Sequence, residues 1–267
     1  KILGSVRHRQ GQILGQMQAL GFRIQEETML KALTMDVIKS SEIEGELLNS
    51  DQVRSSIARR LGIEIAGALP DERDVEGIVE MMLDATQRYD IPLTDERLFD
   101  WHAALFPTGR SGIYKIKTAA WRDDVMQVTS GAMGRETIHF EAPPASKVPG
   151  EMNAFLDWIE KYTDIDDVLK AGLAHFWFIT IHPFDDGNGR IGRAITDMLL
   201  ARADKSSQRF YSMSAQIQIE RNKYYDILES TQKGKLDITA WLLWFLDCLM
   251  RSIEQTDETI KKTMARA

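Results

Sequence analysis

Apolar residues recur every three or four positions through most of the 267-residue chain, and this spacing constrains the fold more than any other feature of the sequence. Residues at that spacing lie on one face of an α-helix, where they can pack against a core. The clearest stripes are Met29, Leu30, Leu33, Val37 and Ile38; Leu169, Leu173 and Phe176; and Trp241, Phe245, Cys248 and Leu249. We therefore predict a mainly α protein.

One segment departs from the helical spacing. Residues 125–128 and 138–140 are rich in β-branched and aromatic side chains, and a glycine-bearing stretch separates them. This pattern predicts one small β-hairpin with a long loop. Glycine and proline mark further breaks near residues 62–70, 107–112 and 142–150. The first 90 residues are helical in pattern, and we expect them to pack on the remainder as a subdomain.

The charge balance excludes several kinds of partner. The chain has 33 Lys and Arg against 40 Asp and Glu, a net charge of -7, and no long basic tract, so we expect it to bind neither nucleic acid nor an anionic membrane. Cys248 is the only cysteine, which excludes an intrachain disulfide, and its apolar neighbours predict that it is buried. No secretory signal and no apolar run of spanning length is visible, so the cytoplasm is the expected location.

A histidine, two adjacent carboxylates, three glycines and two arginines stand between positions 182 and 193. The glycines match the spacing G-x-G-x-x-G, but a dinucleotide site needs a preceding strand, and the stretch before this run is predicted to be helical. We favour an anion-binding turn, in which glycines let successive N–H groups converge and the following helix adds its positive end. Arg190 and Arg193, one turn apart, would hold phosphate oxygens. A tight helix–helix corner with surface arginines is the alternative.

Eight positions of this run carry a longer pattern. They are His182, Phe184, Asp186, Gly187, Asn188, Gly189, Arg190 and Arg193. The pattern resembles the signature of Fic domains, which transfer a nucleotide monophosphate to protein hydroxyl groups. The resemblance implies a Fic-fold helical bundle over residues 91–250, preceded by an N-terminal helical region over residues 1–90 and followed by a C-terminal helical tail over residues 251–267. It also implies ATP as the donor, Mg²⁺ as the metal, and a target protein with a Ser, Thr or Tyr hydroxyl.

The resemblance gives each residue of the motif a role. A hydroxyl is a weak nucleophile near neutral pH, and His182 is the candidate base that would activate it, since histidine titrates in that range. Asp186 occupies the metal position, where a carboxylate suits Mg²⁺. Asn188 and the backbone from Gly187 through Gly189 to Arg190 would hold the α- and β-phosphates, and Arg193 the γ-phosphate. We expect His175 to pack in the core, Phe184 to anchor the loop and Asp185 to be solvated.

Two further segments resemble parts of the family's nucleotide site. The predicted hairpin corresponds to a flap over the nucleotide and the target, formed by Ile138, His139, Phe140 and Glu141. An exposed strand edge there could pair with an extended target segment, although an ordinary hairpin has the same pattern. Tyr224 matches the position that contacts the nucleotide, Tyr225 is predicted to face the core, and Gln232 stands where relatives often have Asn.

An upstream segment resembles the family's inhibitory motif, Ser/Thr-x-x-x-Glu-Gly/Asn. It begins at Ser40 and places Glu44 and Gly45 at its end. By this resemblance Glu44 would pair with Arg193 and compete with the γ-phosphate, and it would also assist removal of AMP in some relatives. The other interpretation is a capping box at the start of a helix, because Ser41 precedes Glu44 by three positions.

The sequence supports a protein adenylyltransferase under this inhibition and leaves two alternatives open. One is a transferase of another nucleotide or of phosphocholine, or an enzyme that removes AMP. The other is a nucleotide-binding regulatory module without chemistry, against which the intact His182 argues. The target protein and the presence of a homo-oligomer are not predictable from the sequence.

Overall fold

The computed structural model describes residues 1–70, 73–130 and 137–264. Within these ranges the chain forms eleven α-helices, one short 3-10 helix and two antiparallel strand pairs, which confirms the prediction of a mainly α protein. The helices are α1 (Ile2–Gln18), α2 (Phe22–Ile43), α3 (Ser50–Leu61), α4 (Arg73–Gln87), α5 (Asp95–Leu105), α6 (Val148–Lys161), α7 (Asp167–Ile181), α8 (Asn188–Asp204), α9 (Met213–Ile219), α10 (Arg221–Gln232) and α11 (Thr239–Met264).

The predicted hairpin is present. Strands β3 (Gln127–Ser130) and β4 (Thr137–Glu141) are antiparallel, with Gln127 opposite Glu141 and a register irregularity after Val128. The central part of the connection predicted between them lies outside the described residues. A second pair, β1 (Arg110–Ser111) and β2 (Tyr114–Lys115), was not predicted, because two residues are too few to show an alternating pattern.

The predicted breaks between helices agree with the structure, except that the last of them ends earlier than predicted. Gly62 ends α3 in the left-handed conformation with φ 70°, as a helix-terminating glycine does. The break predicted over residues 142–150 is shorter than expected, because α6 begins at Val148 and includes Pro149 and Gly150. Proline is tolerated in the first turn of a helix, because N–H groups there make no intrahelical hydrogen bond and proline therefore loses none.

Helices α7 and α8 form the centre of the molecule. They pack against each other; α2, α4 and α5 contact α8, while α6 and α11 contact α7. Almost every residue of α8 from Ile191 to Ala201 is buried, because other helices cover it on all sides. The loop that joins the two most buried helices is therefore held at both of its ends.

The N- and C-terminal helices pack together rather than forming separate parts. Helix α1 packs on α11, and the buried apolar side chains from all regions join one contiguous core. The predicted boundary at residue 250 falls within α11, and residues 251–264 are the end of that helix. Within the described ranges, no helix combines the length and the uninterrupted apolar character that a membrane span requires.

A buried ionic network joins α2 to the centre. Arg209 pairs with Asp197 on α8 at 3.0 Å and with Asp204 at 3.3 Å. Nearby, Asp36 of α2 accepts hydrogen bonds from the Ser212 hydroxyl (2.6 Å) and from the backbone N–H of Ser214 (3.1 Å). Burial, together with the nearby charge of Asp197, raises the pKa of Asp36 to about 8. The network thus fixes the middle of α2 while one carboxyl group remains protonated near neutral pH.

We predict that Gly77→Ala destabilises the protein by about 1–3 kcal/mol, because a Cβ at this position in α4 would overlap the carbonyl oxygen of Ala104 in α5. The matched control is Gly11→Ala in the middle of α1, where no atom lies within 4 Å of the new Cβ and helix propensity favours alanine. Thermal unfolding should show a lower Tm for the first variant and an unchanged or higher Tm for the second. Equal Tm values for the two variants would contradict the close α4–α5 contact.

We also predict a pH effect at Asp36. The folded protein holds a proton there up to about pH 8, whereas the unfolded chain releases it near pH 4. The free energy of unfolding should therefore decrease as the pH rises from about 4 to about 8. The slope from this group is at most about 1.4 kcal/mol per pH unit. Asp36→Asn resembles the protonated side chain and should give a shallower slope in urea unfolding from pH 5 to pH 8. Identical slopes for the two proteins would refute the assignment.

Candidate active site

The loop between α7 and α8 begins and ends with left-handed backbone. His182 has φ 51° and ψ 61°, and Gly187 has φ 79° and ψ 0°. A side chain at position 187 would also meet the Phe106 ring 2.8 Å from its Cβ, so glycine is required there for two reasons. The predicted sharp turn before α8 is present. It brings His182, at the end of α7, close to the N-terminus of α8.

His182 is oriented as a base. Its Nδ1 lies 3.3 Å from the carbonyl oxygen of Ile179, which can only accept, so Nδ1 carries the proton and Nε2 has a free lone pair. Burial lowers the pKa of His182, and its hydrogen bond to Ile179 only partly opposes that effect. The imidazole is therefore neutral at pH 7. A neutral ring with a free Nε2 can remove a proton from a hydroxyl.

Arg122 holds the backbone around His182, a role that the sequence analysis missed. Its Nε donates to the His182 carbonyl oxygen at 2.8 Å, its backbone N–H donates to Pro183, and its other guanidinium nitrogens reach Pro143 and Asp124. All of these acceptors are backbone carbonyl oxygens, so no pattern of side chains in the sequence could have indicated the contact. The left-handed residue is thus held in place by a buried arginine.

The two adjacent carboxylates are held by the segment that contains β1 and β2. The Ser111 hydroxyl donates to Asp186 Oδ2, and the Gly187 N–H donates to Asp186 Oδ1 at 2.5 Å. Asp185 Oδ2 accepts from the Lys117 N–H at 2.8 Å. Asp185 is half-buried, and its hydrogen bond to the Lys117 N–H attaches this segment to the loop. Asp186 is also half-buried and stands beside the start of α8.

His102 supports the same loop and was likewise missed. Its ring stacks on Phe184 with centroids 4.3 Å apart, and Phe184 is fully buried, as predicted for a loop anchor. His102 Nδ1 accepts from the Ala119 N–H, and Nε2 donates to the Asp186 carbonyl oxygen, both at 3.2 Å. Burial lowers the pKa of His102 to about 4, so this neutral tautomer persists at pH 7. The ring thereby fixes the peptide that carries Asp186.

The side chain of Asn188 shapes the loop rather than facing a ligand. Its Oδ1 accepts from the Phe184 N–H at 3.0 Å, its Nδ2 donates to the Phe184 carbonyl oxygen at 2.8 Å, and it is 2% exposed. Contact of this side chain with phosphate stays a prediction, and in this structure both of its polar atoms bond the Phe184 backbone. Asn188, Gly189 and Arg190 form the first turn of α8, where backbone N–H groups have no intrahelical acceptors and attract anions.

Glu44 pairs with Arg193. Helix α2 ends at Ile43, and Glu44 Oε1 lies 2.7 Å from Arg193 Nη2, while Ser40 supplies two more acceptors to the same guanidinium. Burial lowers the pKa of Arg193 more than any single neighbour raises it, but the charge and hydrogen bond of Glu44, together with the two tyrosines of α10, outweigh burial and the net shift is upward. A Cβ at Gly189 would overlap Glu44 Oε1, so the carboxylate rests on the first turn of α8.

The alternative interpretation of the upstream motif, a capping box, is wrong. Ser41 lies in the last turn of α2, which begins at Phe22, and cannot cap the start of a helix. The Ser41 carbonyl oxygen instead accepts from the N–H groups of Glu44 and Glu46, and Gly45 has φ 87°. This is the hydrogen-bond pattern of a glycine-terminated helix end.

Arg190 has a carboxylate partner of its own. Its Nη1 lies 2.5 Å from Glu46 Oε2, and its guanidinium carbon lies 5.0 Å from the centre of the Phe106 ring. The Arg190 side chain is 6% exposed, whereas that of Glu46 is 47% exposed. Both arginines of the motif are therefore occupied by carboxylates from the end of α2.

A cavity of about 480 Å³ opens beside His182. Its lining includes Glu44, Gly189 and Phe140, and toward α10 it includes Asp226 and Gln232. Strand β4 of the predicted flap, residues 137–141, borders it through Phe140, and Glu141 accepts from the Gln127 side chain at 3.0 Å. The side chains of Ile138 and His139 lie outside the described residues. The cavity thus joins the candidate base, the start of α8 and the flap.

The two tyrosines of α10 are buried in the order opposite to that predicted. Tyr224 is 2% exposed and bonds His175 Nε2 at 2.8 Å, whereas Tyr225 is half-buried. His175 is in the core, as predicted, and its Nδ1 contacts Thr196. Both tyrosines line the cavity. Gln232 lines it as well and donates to the Thr180 hydroxyl at 3.3 Å.

Asp186 could supply one carboxylate ligand to a Mg²⁺ ion whose other ligands are phosphate oxygens and water. Mg²⁺ is usually held by one or two carboxylates together with phosphates and water, not by an all-protein cage. Asp186 is a half-buried carboxylate whose oxygens are oriented by Ser111 and by the Gly187 N–H. Among the described residues, no three His, Cys, Asp or Glu side chains gather in a cluster that could hold a metal ion without such additional ligands. These residues therefore fit Mg²⁺ bound together with a phosphate-bearing ligand.

Two regions of the chain match known families. Residues 92–200 match the family model described as Fic/DOC family, and residues 1–63 match one described as a domain of unknown function, DUF4172. The first match contains the loop, its supporting residues and the two arginines. The second contains α1, α2 and the glutamates that meet those arginines.

Curated relatives are similar at low identity. "Protein adenylyltransferase Fic" of Aedes aegypti is 24% identical over 233 residues, which are 84% of this chain and 42% of that protein. The protein of the same name from Nematostella vectensis is 34% identical over 115 residues, which are 42% of this chain and 25% of that protein. The chain therefore spans less than half the length of these relatives.

Solved structures share the fold over nearly the whole chain. A Fic family protein from Desulfovibrio desulfuricans G20 is 22% identical, with a TM-score of 0.70 and coverage of 97% of this chain and 75% of that one. A Fic domain containing signaling protein from Bacteroides thetaiotaomicron is 19% identical, with a TM-score of 0.70 and coverage of 98% and 97%. The predicted Fic-fold bundle is confirmed.

We predict that Tyr224→Phe destabilises the protein by about 1–3 kcal/mol, because it leaves His175 Nε2 buried without a donor. Thr196 donates its own proton to the Gly192 carbonyl oxygen, so His175 must donate from Nδ1 and accept at Nε2. Tyr225→Phe is the matched control and should change stability by less than about 0.5 kcal/mol. Denaturant unfolding measures both; equal losses would contradict the reversed burial.

Proposed function

The chain contains a Fic/DOC family domain at residues 92–200, and we propose that this domain transfers AMP from ATP to a hydroxyl group of a protein. The observation that carries the proposal is the placement of a neutral histidine with a free Nε2 on a cavity that the anion-attracting start of α8 also lines. The names of the curated relatives support the same class of reaction.

The reaction follows from these groups. The oxygen of a Ser, Thr or Tyr side chain attacks the α-phosphorus of ATP, and its proton passes to Nε2 of His182. The new oxygen–phosphorus bond forms as the bond from the α-phosphorus to the oxygen bridging to the β-phosphate breaks. Pyrophosphate leaves, and AMP stays on the target. Since the imidazole is neutral before the attack, it accepts the proton without first losing one.

The loop supplies binding and orientation. The first turn of α8, together with Arg190 and Arg193, provides N–H and guanidinium donors for phosphate oxygens. Asp186, oriented by Ser111, would hold Mg²⁺ with the phosphates. That ion would neutralise charge that develops on the leaving pyrophosphate. His102 and Arg122 keep the loop rigid, so the donors and the base remain in register.

The flap and α10 would position the rest of the substrates. The strand pair beside Phe140 would offer backbone groups to an extended target segment. Gln232 and the half-buried Tyr225, rather than the fully buried Tyr224, are the α10 side chains available to a nucleotide base.

We further propose that the domain is inhibited by its own N-terminal region. Glu44 holds Arg193 at 2.7 Å and rests on the turn that would bind phosphate. An ATP γ-phosphate and the Glu44 carboxylate would compete for one guanidinium, and the bound carboxylate would leave the triphosphate without this partner. Removal of Glu44 should therefore free Arg193 for productive binding.

We predict that Glu44→Gly increases AMP transfer and that His182→Ala abolishes it. The variants are incubated with Mg²⁺ and α-labelled ATP, and label on the protein or on an added target is measured. Loss of the base should lower the rate by about 100-fold or more. Glu42→Gly is the control for disturbing the end of α2, because Glu42 pairs with Lys39 at 2.6 Å and not with α8.

Each negative result identifies the part of the proposal that fails. Equal labelling of wild type and Glu44→Gly, with His182→Ala inactive, would reject the inhibition and retain the transfer. Nucleotide binding without label in any variant would reject AMP transfer in favour of another donor or of a binding module without chemistry. Loss of label from a pre-modified target would favour removal of AMP.

A further inference from the structure

The guanidinium of Arg190 is almost entirely enclosed. Its side chain is 6% exposed, it lies over the Phe106 ring at 5.0 Å, and its Nε is buried without a hydrogen-bond partner. The anionic group shown to touch it is the Glu46 carboxylate, at 2.5 Å. A guanidinium in this setting favours a negative partner strongly, because little water can reach it.

The end of α2 presents Glu46 in a fixed way. The Glu46 N–H donates to the Ser41 carbonyl oxygen and the Gly45 N–H to that of Glu42, both at 3.0 Å. Gly45 supplies the left-handed residue at φ 87° that this helix ending requires. Glu44 and Glu46 therefore leave the same turn and reach two arginines that are three residues apart on α8.

The two carboxylates differ in exposure. The Glu46 side chain is 47% exposed and that of Glu44 is 31% exposed, while both arginines are nearly buried. The ion pair of a more exposed carboxylate is weaker, because water screens it. An incoming anion therefore displaces Glu46 more readily than Glu44. Displacement of Glu46 would expose Arg190, which belongs to the same helix turn as the candidate phosphate site.

We propose that Glu46 is a second residue that controls nucleotide affinity, by competing with phosphate oxygens for Arg190 as Glu44 does for Arg193. This inference rests on the proposed nucleotide site and adds a contact that the resemblance to the inhibitory motif does not contain, since that motif ends before position 46. Inhibition then acts at two points, and removal of Glu44 alone leaves Arg190 occupied.

A purely structural ion pair would give a different result. If Glu46 only fastened the end of α2 to α8, its loss would loosen the protein and leave nucleotide affinity unchanged or weaker. If it competes with phosphate, its loss leaves a buried cation that needs an anion, and affinity rises. Nucleotide affinity and thermal stability together distinguish the two roles.

The test is calorimetric titration of a non-hydrolysable ATP analogue with Mg²⁺ into wild type, Glu46→Gln, Glu44→Gln and the double variant. We expect Glu46→Gln to bind about three- to fivefold more tightly than wild type, with a similar or larger gain in the Glu44→Gln background. Glu42→Gln, at the same helix end but paired with Lys39, should bind like wild type. Glu46→Asp keeps the charge on a shorter side chain and should fall between wild type and Glu46→Gln.

The outcomes separate this inference from the proposed function. Tighter binding by Glu44→Gln but not by Glu46→Gln, in either background, overturns the role of Glu46 and leaves the AMP-transfer proposal intact. Tighter binding by Glu46→Gln without labelling by α-labelled ATP supports the role of Glu46 and rejects the transfer. Weaker binding by Glu46→Gln with a lower Tm assigns Glu46 to structure alone, and no binding by any variant rejects both.

Discussion

The site depends on one backbone constraint, the short connection between two buried helices. His182 and Gly187 both adopt left-handed backbone, which reverses the chain from the end of α7 to the start of α8. Because those helices are central, the ends of the loop cannot shift without moving the core. The positions of the candidate base, the candidate metal ligand and the helix N-terminus therefore depend on the packing of the whole bundle. Hydrogen bonds from Arg122 and His102 restrain the loop further.

A second constraint is electrostatic. Arg190 and Arg193 are nearly buried, and a buried guanidinium without an anion is strongly unfavourable. The end of α2 meets this need with Glu44 and Glu46, so the groups that stabilise the folded chain are also those a phosphate would have to replace. Stability and the proposed nucleotide binding thus depend on the same two cations. Any gain of ligand contacts must offset the ion pairs that are lost.

The sequence predicted those features whose cause is local. Helical spacing predicted the mainly α fold, and the motif from His182 predicted the turn and the buried Phe184. The pair of Glu44 with Arg193, which are 149 positions apart, was predicted only through the resemblance of the segment from Ser40 to an inhibitory motif. The sequence did not predict contacts that the residue types by themselves do not indicate. The acceptors of Arg122 are backbone carbonyl oxygens, the Asn188 side chain bonds the backbone of Phe184 four positions away, and the Tyr224 hydroxyl bonds the His175 side chain across 49 positions. The capping box failed because a four-residue pattern does not reveal that α2 already extends through it.

The attachment of α2 bears on how the proposed inhibition would be released. Asp36 fixes the middle of the helix through Ser212 and Ser214, and α2 also packs on α3 and α9. Displacing the whole helix would disrupt these contacts together with much of the core. The carboxylates, in contrast, stand on a single turn after the last helical residue and are 31% and 47% exposed. Rotation of two side chains would remove both carboxylates from the arginines without moving the helix, and Arg193 would keep its hydrogen bonds to Ser40. An anion that binds the arginines more strongly than Glu44 and Glu46 therefore needs no large rearrangement of the fold.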